Sequence, residues 1–106
     1  MKIEDENVVY VQEDENNKLW RLFKLTSKNS SRIYYCNVMA NAFWTEPIND
    51  YLDLRLATPE ESHYMNEMIK ANKFIPYEEA MKTFKEESLV GRYAKFKSNW
   101  NTLGNH

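Results

Sequence analysis

The chain has 106 residues, 42% hydrophobic and 14% aromatic, with 14 basic against 16 acidic side chains; this suffices for one compact core and excludes a two-domain enzyme or a disordered or fibrous chain. A net charge of −2 supplies no global field to hold the chain on DNA, RNA or an anionic membrane. The single cysteine excludes an internal disulfide, and no run approaches the ~20 apolar residues of a membrane span or the apolar core of a signal peptide, so one cytoplasmic domain over 1–106 is expected.

In chain order, the apolar run Val8 to Val11, bounded by polar Gln12 to Lys18, predicts a first strand over 7–12 and a hairpin turn. Leu19 to Thr26 alternates and is rich in β-formers, predicting a second strand over 18–26. Arg32 to Val38 is β-branched and aromatic and should return antiparallel across the turn Ser27 to Ser31. Met39 to Thr45 either extends this third strand or forms a fourth. Phe43 and Trp44 are adjacent, so an extended backbone sends them to opposite sides and one should be exposed. After Pro47, Asn49 and Asp50, the segment 51–56 alternates again with Leu52, Leu54 and Leu56 on one face of a last short strand.

The period changes at Thr58-Pro59-Glu60-Glu61, which places a hydroxyl at N-cap, proline at N1 and glutamate at N3. The helix that starts there carries the stripe Tyr64, Met65, Met68 and Ile69 and should end near Ala71, with Asn72 as terminator. Pro76 opens a second helix with Tyr77, Ala80, Met81 and Phe84 on one face. Leu89, Tyr93, Phe96 and Trp100 are spaced for a third over 88–100, at a cost of about 1 kcal/mol for Gly91. Asn occurs 12 times while Gly is confined to Gly91 and Gly104, so the turns must draw positive φ angles from asparagine.

Chemistry is harder to find. The only imidazoles are His63 and His106, and His63, with Glu60 and Glu67 at i−3 and i+4, has the arrangement of a solvated helix-surface cluster. Zinc-type spacings, a calcium loop and glycine-rich phosphate loops are missing from the sequence. The pairs Glu60-Glu61, Glu78-Glu79 and Glu86-Glu87 point about 100° apart on a helix and do not converge as acid/base dyads. Cys36, inside an apolar run, reads as a buried inert thiol. No cofactor, metal or catalytic residue is expected, and an enzyme is the least supported class.

What remains is charge and rings. Residues 1–16 hold Glu4, Asp5, Glu6, Glu13, Asp14 and Glu15 against Lys2, a net of −5, whereas residues 70–106 carry +3. Trp20, Tyr34, Tyr35, Phe43 and Trp44 come from the predicted sheet with Arg21, Lys24, Lys28 and Arg32 nearby. That mixture either stacks unpaired bases or anchors a protein partner.

The segment Leu54-Arg55-Leu56-Ala57-Thr58-Pro59-Glu60-Glu61, followed by Ile69-Lys70-Ala71-Asn72-Lys73-Phe74, resembles one found in small uncharacterised proteins of bacteriophages and integrated elements. The resemblance implies a setting in which small, acidic, cofactor-free proteins include inhibitors of bacterial immunity of the anti-CRISPR type, which occupy a nuclease surface.

These readings predict an α+β domain: an antiparallel β-meander of three to five strands, then two or three short helices packed on one face. The expected function is a non-catalytic protein-binding module, an inhibitor of a host protein or ribonucleoprotein complex. The acids Glu4, Asp5, Glu6, Glu13, Asp14 and Glu15 would enter a basic channel while Trp20 or Trp44 supplies an apolar anchor. One alternative is a small nucleic-acid-binding or regulatory protein that uses Lys82, Lys85, Arg92, Lys95 and Lys97 with sheet aromatics such as Tyr35. Another is a homo-oligomer that binds signalling nucleotides in a pocket between its subunits.

Overall fold

The computed structural model describes residues 1–84, and in them the alternating segments become strands β1 (Tyr10–Glu13), β2 (Leu19–Leu25), β3 (Arg32–Asn37), β4 (Ala42–Pro47) and β5 (Leu54–Leu56), followed by helix α1 (Pro59–Ala71). A second helix, α2, begins at residue 77 and continues to residue 84. The strands form one sheet in the order β4-β3-β2-β1-β5, every neighbouring pair antiparallel. This is the α+β meander that the alternation predicts. The proposed third helix over 88–100 lies outside the described residues.

Asparagine does the work of glycine in the turns. Asn17, Asn29 and Asn41 stand between successive strands with φ of 61°, 60° and 52°, and Asn72 closes α1 at 56°. Few other side chains enter this region without a steric cost of about 1–2 kcal/mol. Asp53, at φ 58°, does the same before β5 and cuts the 51–56 alternation short. The last strand is therefore only Leu54–Leu56, and Leu52 and Leu56 are 75% and 56% exposed. The three leucines do not share one buried face. At the other end, Val8 N donates to Asp5 O in a turn, which delays β1 to Tyr10.

Both faces of the sheet are apolar. Val9, Val11, Leu22 and Cys36 meet Tyr64, Met65 and Met68 of α1 and Ala80 and Met81 of α2. On the opposite face Tyr10, Phe23, Leu25, Ile33 and Tyr35 are closed over by Ile3, Tyr51 and Leu54. Burial of each large side chain contributes about 1.5–3 kcal/mol, so the loop 48–53 and the N-terminal residues act as the cover that helices provide on the first face.

The capping box at α1 forms as its spacing predicts: Thr58 Oγ1 accepts from Glu61 N and the Glu61 carboxylate accepts from Thr58 N. Glu61 does more than cap. Its two oxygens also accept from Arg55, at 2.7 and 2.9 Å, and Arg55 Nη2 reaches Glu13 on β1 at 3.1 Å. These bonds hold the Arg55 guanidinium charged and, with the guanidinium first and Thr58 second, draw the Glu61 carboxyl below its ordinary value. His63 departs from its expected solvated cluster: it is half-buried between α1 and α2, with Nε2 3.0 Å from Thr83 Oγ1 and its ring against Phe84. Thr83 Oγ1 donates to Ala80 O, which leaves it as acceptor for the imidazole N–H.

Thr58→Ala should cost about 1 kcal/mol, the usual value of an N-cap, and Glu61→Ala more, because it strips Arg55 of its nearest anion as well; chemical denaturation measures both. Glu61 is more acidic folded than unfolded, so its contribution is complete above the ordinary value of 4.5 and is lost as pH falls through the lower folded value. Acid titration of stability should accordingly be shallower in Glu61→Gln than in the parent. Burial pushes the Cys36 thiol up to about 12, with a smaller opposing contribution from Tyr64. It should resist alkylation in native protein and react once the chain is unfolded.

Candidate functional site

The cross-strand register aligns Phe23, Tyr35 and Trp44 in one row on the face away from α1. Phe23 meets Tyr35 edge-on at 5.6 Å between ring centroids, Tyr35 stacks under Trp44 at 4.7 Å, and Tyr51 folds onto Phe23 at 4.2 Å. Of the adjacent pair expected to face opposite sides, Phe43 is half-buried on the helix face and Trp44 is 45% exposed. Trp44 Nε1 donates to Glu46 at 2.8 Å, and the Tyr51 hydroxyl donates to the other oxygen of the same carboxylate. Burial first, and Glu46 second, push the Tyr51 phenol up, so it stays protonated and holds the loop 48–53 to β4. Tyr35, proposed as a base-stacking ring, is buried beneath Trp44, and both of its neighbours in the row are protein rings.

The second cluster is at the hairpin end of β1 and β2. The register slips there: Gln12 opposes Arg21 while Glu13 opposes Leu19, which leaves Trp20 as the extra residue of a bulge. A bulge brings consecutive side chains toward the same side, and the Arg21 guanidinium lies 3.7 Å from the centroid of the Trp20 ring, a cation–π contact. The turn itself is built by Asp14, whose Oδ1 accepts from Asn16 N and Lys18 N at 2.8 and 2.9 Å. From the β3–β4 turn comes Met39, 55% exposed, and a groove of about 480 Å³ lies among Asp14, Glu15, Asn16, Trp20 and Met39.

The predicted acids are thus divided. Asp14 and Glu15 share that groove with Trp20. Glu13 faces the opposite way, into the Arg55 bridge. Glu4 and Asp5 lie over the start of β1, where their backbone N–H groups donate to the Tyr10 hydroxyl at 3.4 and 3.2 Å, and Asp5 Oδ1 accepts from Asn7 N. Glu4 lines a different groove from the one that Asp14 and Glu15 share. A separate groove of about 290 Å³ runs between residues 1–4 and 48–51, floored by Leu54. The basic residues Arg92, Lys95 and Lys97, like Lys85, lie outside the described residues, and Lys82 is exposed on α2.

Sequence reasoning missed Met39, which follows a strand and carries no periodic signal, and it missed the bulge that aims Trp20. It placed Glu61 at N3 of the capping box, which forms, but did not foresee that the carboxylate is also buried in its pairing with Arg55. Among the described residues no group of three or more His, Cys, Asp or Glu is placed to hold a metal ion, and no helix is long and apolar enough to cross a membrane.

Trp44→Ala removes one stacked ring and the donor to Glu46. Because the indole is 45% exposed, the expected loss is about 1 kcal/mol, the scale of an aromatic pair, in contrast to the 3 kcal/mol or more expected of buried Phe23→Ala; denaturant titration of the two variants separates them. Compared with protein-family models, with curated proteins and with solved structures, the chain matches none.

Proposed function

We propose that this chain is a non-catalytic protein-binding module whose hairpin-end groove takes a basic segment of a partner protein. One observation carries it: two of the acids and one of the two tryptophans singled out in the sequence are gathered, with exposed Met39, around a single concavity. A lysine or arginine laid there puts its methylene stem on Trp20 and Met39 and its charged head beside Glu15 and Asp14. Apolar contact supplies affinity, while the carboxylates supply orientation and rate of encounter. A nucleic-acid channel of a host defence nuclease is a surface of that chemistry, and the resemblance of residues 54–61 and 69–74 to phage proteins points to the same class of partner. Trp44, on the opposite face from α1, is the second apolar anchor.

The test is affinity capture of the tagged chain from bacterial lysate, with and without nuclease treatment, followed by binding measurements on the recovered partner with Glu15→Lys and Met39→Asp. Both side chains are exposed, so thermal stability should be unchanged. A nuclease-resistant partner is expected, bound roughly tenfold or more weakly by each variant, about 1.4 kcal/mol, with the salt dependence reduced in Glu15→Lys. Recovery that requires intact nucleic acid, or full affinity in both variants, would overturn the proposal.

A further inference from the structure

A five-stranded open sheet has two edges, and each edge strand turns half of its backbone N–H and C=O groups outward, where another strand can pair with them. The hydrogen-bond parity of this sheet identifies those groups. Ile48 N donates to Ser31 O at 2.9 Å, while Thr26 N donates to Arg32 O and Val38 N to Trp20 O, at 3.2 and 2.9 Å. Even-numbered residues of β3 therefore bond to β2 and odd-numbered ones to β4. It follows from the register that Ala42, Trp44 and Glu46 of β4 bond inward, and that Phe43, Thr45 and Pro47 face the open edge.

One group at each of two outward positions is closed. Arg32 reaches across the edge and its Nη2 donates to Thr45 O at 3.1 Å and to Thr45 Oγ1 at 3.3 Å. Pro47 has no N–H to offer. What remains is the N–H and C=O of Phe43, the N–H of Thr45 and the C=O of Pro47. The β5 edge repeats the arrangement: Ala57 N donates to Val9 O, which turns Leu56 outward, and Arg55 Nη1 donates to Leu56 O at 3.2 Å. An arginine thus sits on an outward carbonyl at both ends of the sheet, drawn at β4 from the neighbouring strand and at β5 from the edge strand itself.

We propose that Arg32 guards the β4 edge, its guanidinium occupying the Thr45 carbonyl that β4 of a second copy of this chain would need for antiparallel pairing. Two β4 strands related by a two-fold axis present the same groups to each other. Any register that pairs Thr45 with Thr45 or with Phe43 must displace both guanidinium groups and bring their charges together. The registers that leave Arg32 in place pair Phe43 with Phe43 or Thr45 with Pro47, and each makes only two hydrogen bonds, whereas the registers that use the Thr45 carbonyl make four.

Arg32→Ala removes the guard while leaving every core residue in place, and sedimentation equilibrium over a concentration series reads the result. The variant is expected to move toward twice the mass of the parent as concentration rises. In the associated form, amide exchange at Phe43 and Thr45 slows roughly tenfold or more, the mark of amides newly hydrogen-bonded. Far-UV circular dichroism confirms that the variant is folded. Arg32→Ala combined with Thr45→Pro deletes an outward N–H, a substitution that edge positions tolerate, and should return the mass to that of the parent. Unchanged mass and exchange in folded Arg32→Ala would overturn the proposal. So would slow exchange of the Phe43 and Thr45 amides in the parent, or association that survives Thr45→Pro.

Discussion

The Glu61 carboxylate ties α1 to the paired strands β5 and β1, to which no backbone ladder joins the helix. It caps the first turn of α1 through Thr58, receives the guanidinium of Arg55 from β5, and through that guanidinium is linked to Glu13 on β1. A cap alone would specify where the helix begins. The ion pair specifies where it lies, because Arg55 projects from the strand next to β1 on the face that α1 covers. With α1 so placed, Tyr64, Met65 and Met68 fall on Val11, Leu22 and Cys36, and the Cys36 thiol comes within 3.6 Å of the Met68 sulfur. Removing one partner of such a pair costs more than the pair contributes, because the other charge is left without its anion or cation.

A sheet with two apolar faces must cover both. Helices cover one. On the other the chain uses what remains: Ile3 from before the first strand and Tyr51 and Leu54 from the connection into the last, fastened by the Tyr51–Glu46 and Trp44–Glu46 hydrogen bonds. The arginines on Thr45 and Leu56 leave the edges poor surfaces for strand addition. At the hairpin end the bulge at Trp20 and the turns carrying Glu15 and Met39 interrupt regular pairing.

Much of the architecture was legible because its determinants are local. Thr58, Pro59 and Glu61 specify a helix start within four residues. Asn17, Asn29, Asn41 and Asn72 mark the left-handed positions that a chain with two glycines has to fill. The adjacent Phe43 and Trp44 had to face opposite sides, and period-two alternation separated Leu22 from Phe23 as surely as it separated Tyr34 from Tyr35. The same rule failed at 51–56, where a local left-handed residue, Asp53, interrupts an alternating pattern that is otherwise plausible.

By itself the sequence determined the order of strands and helices, the turns, and that the two rings of an adjacent pair lie on opposite sides, since these follow from spacing over a few residues. Only the tertiary structure decided that Glu61 meets Arg55, that Tyr35 lies beneath Trp44, that residues 1–3 and 48–54 cover the second face, and that a register slip places Trp20 with Asp14, Glu15 and Met39. Periodicity states which face a side chain takes but not what stands opposite it; that depends on pairing between segments far apart in the chain, and a slip of one residue changes the answer.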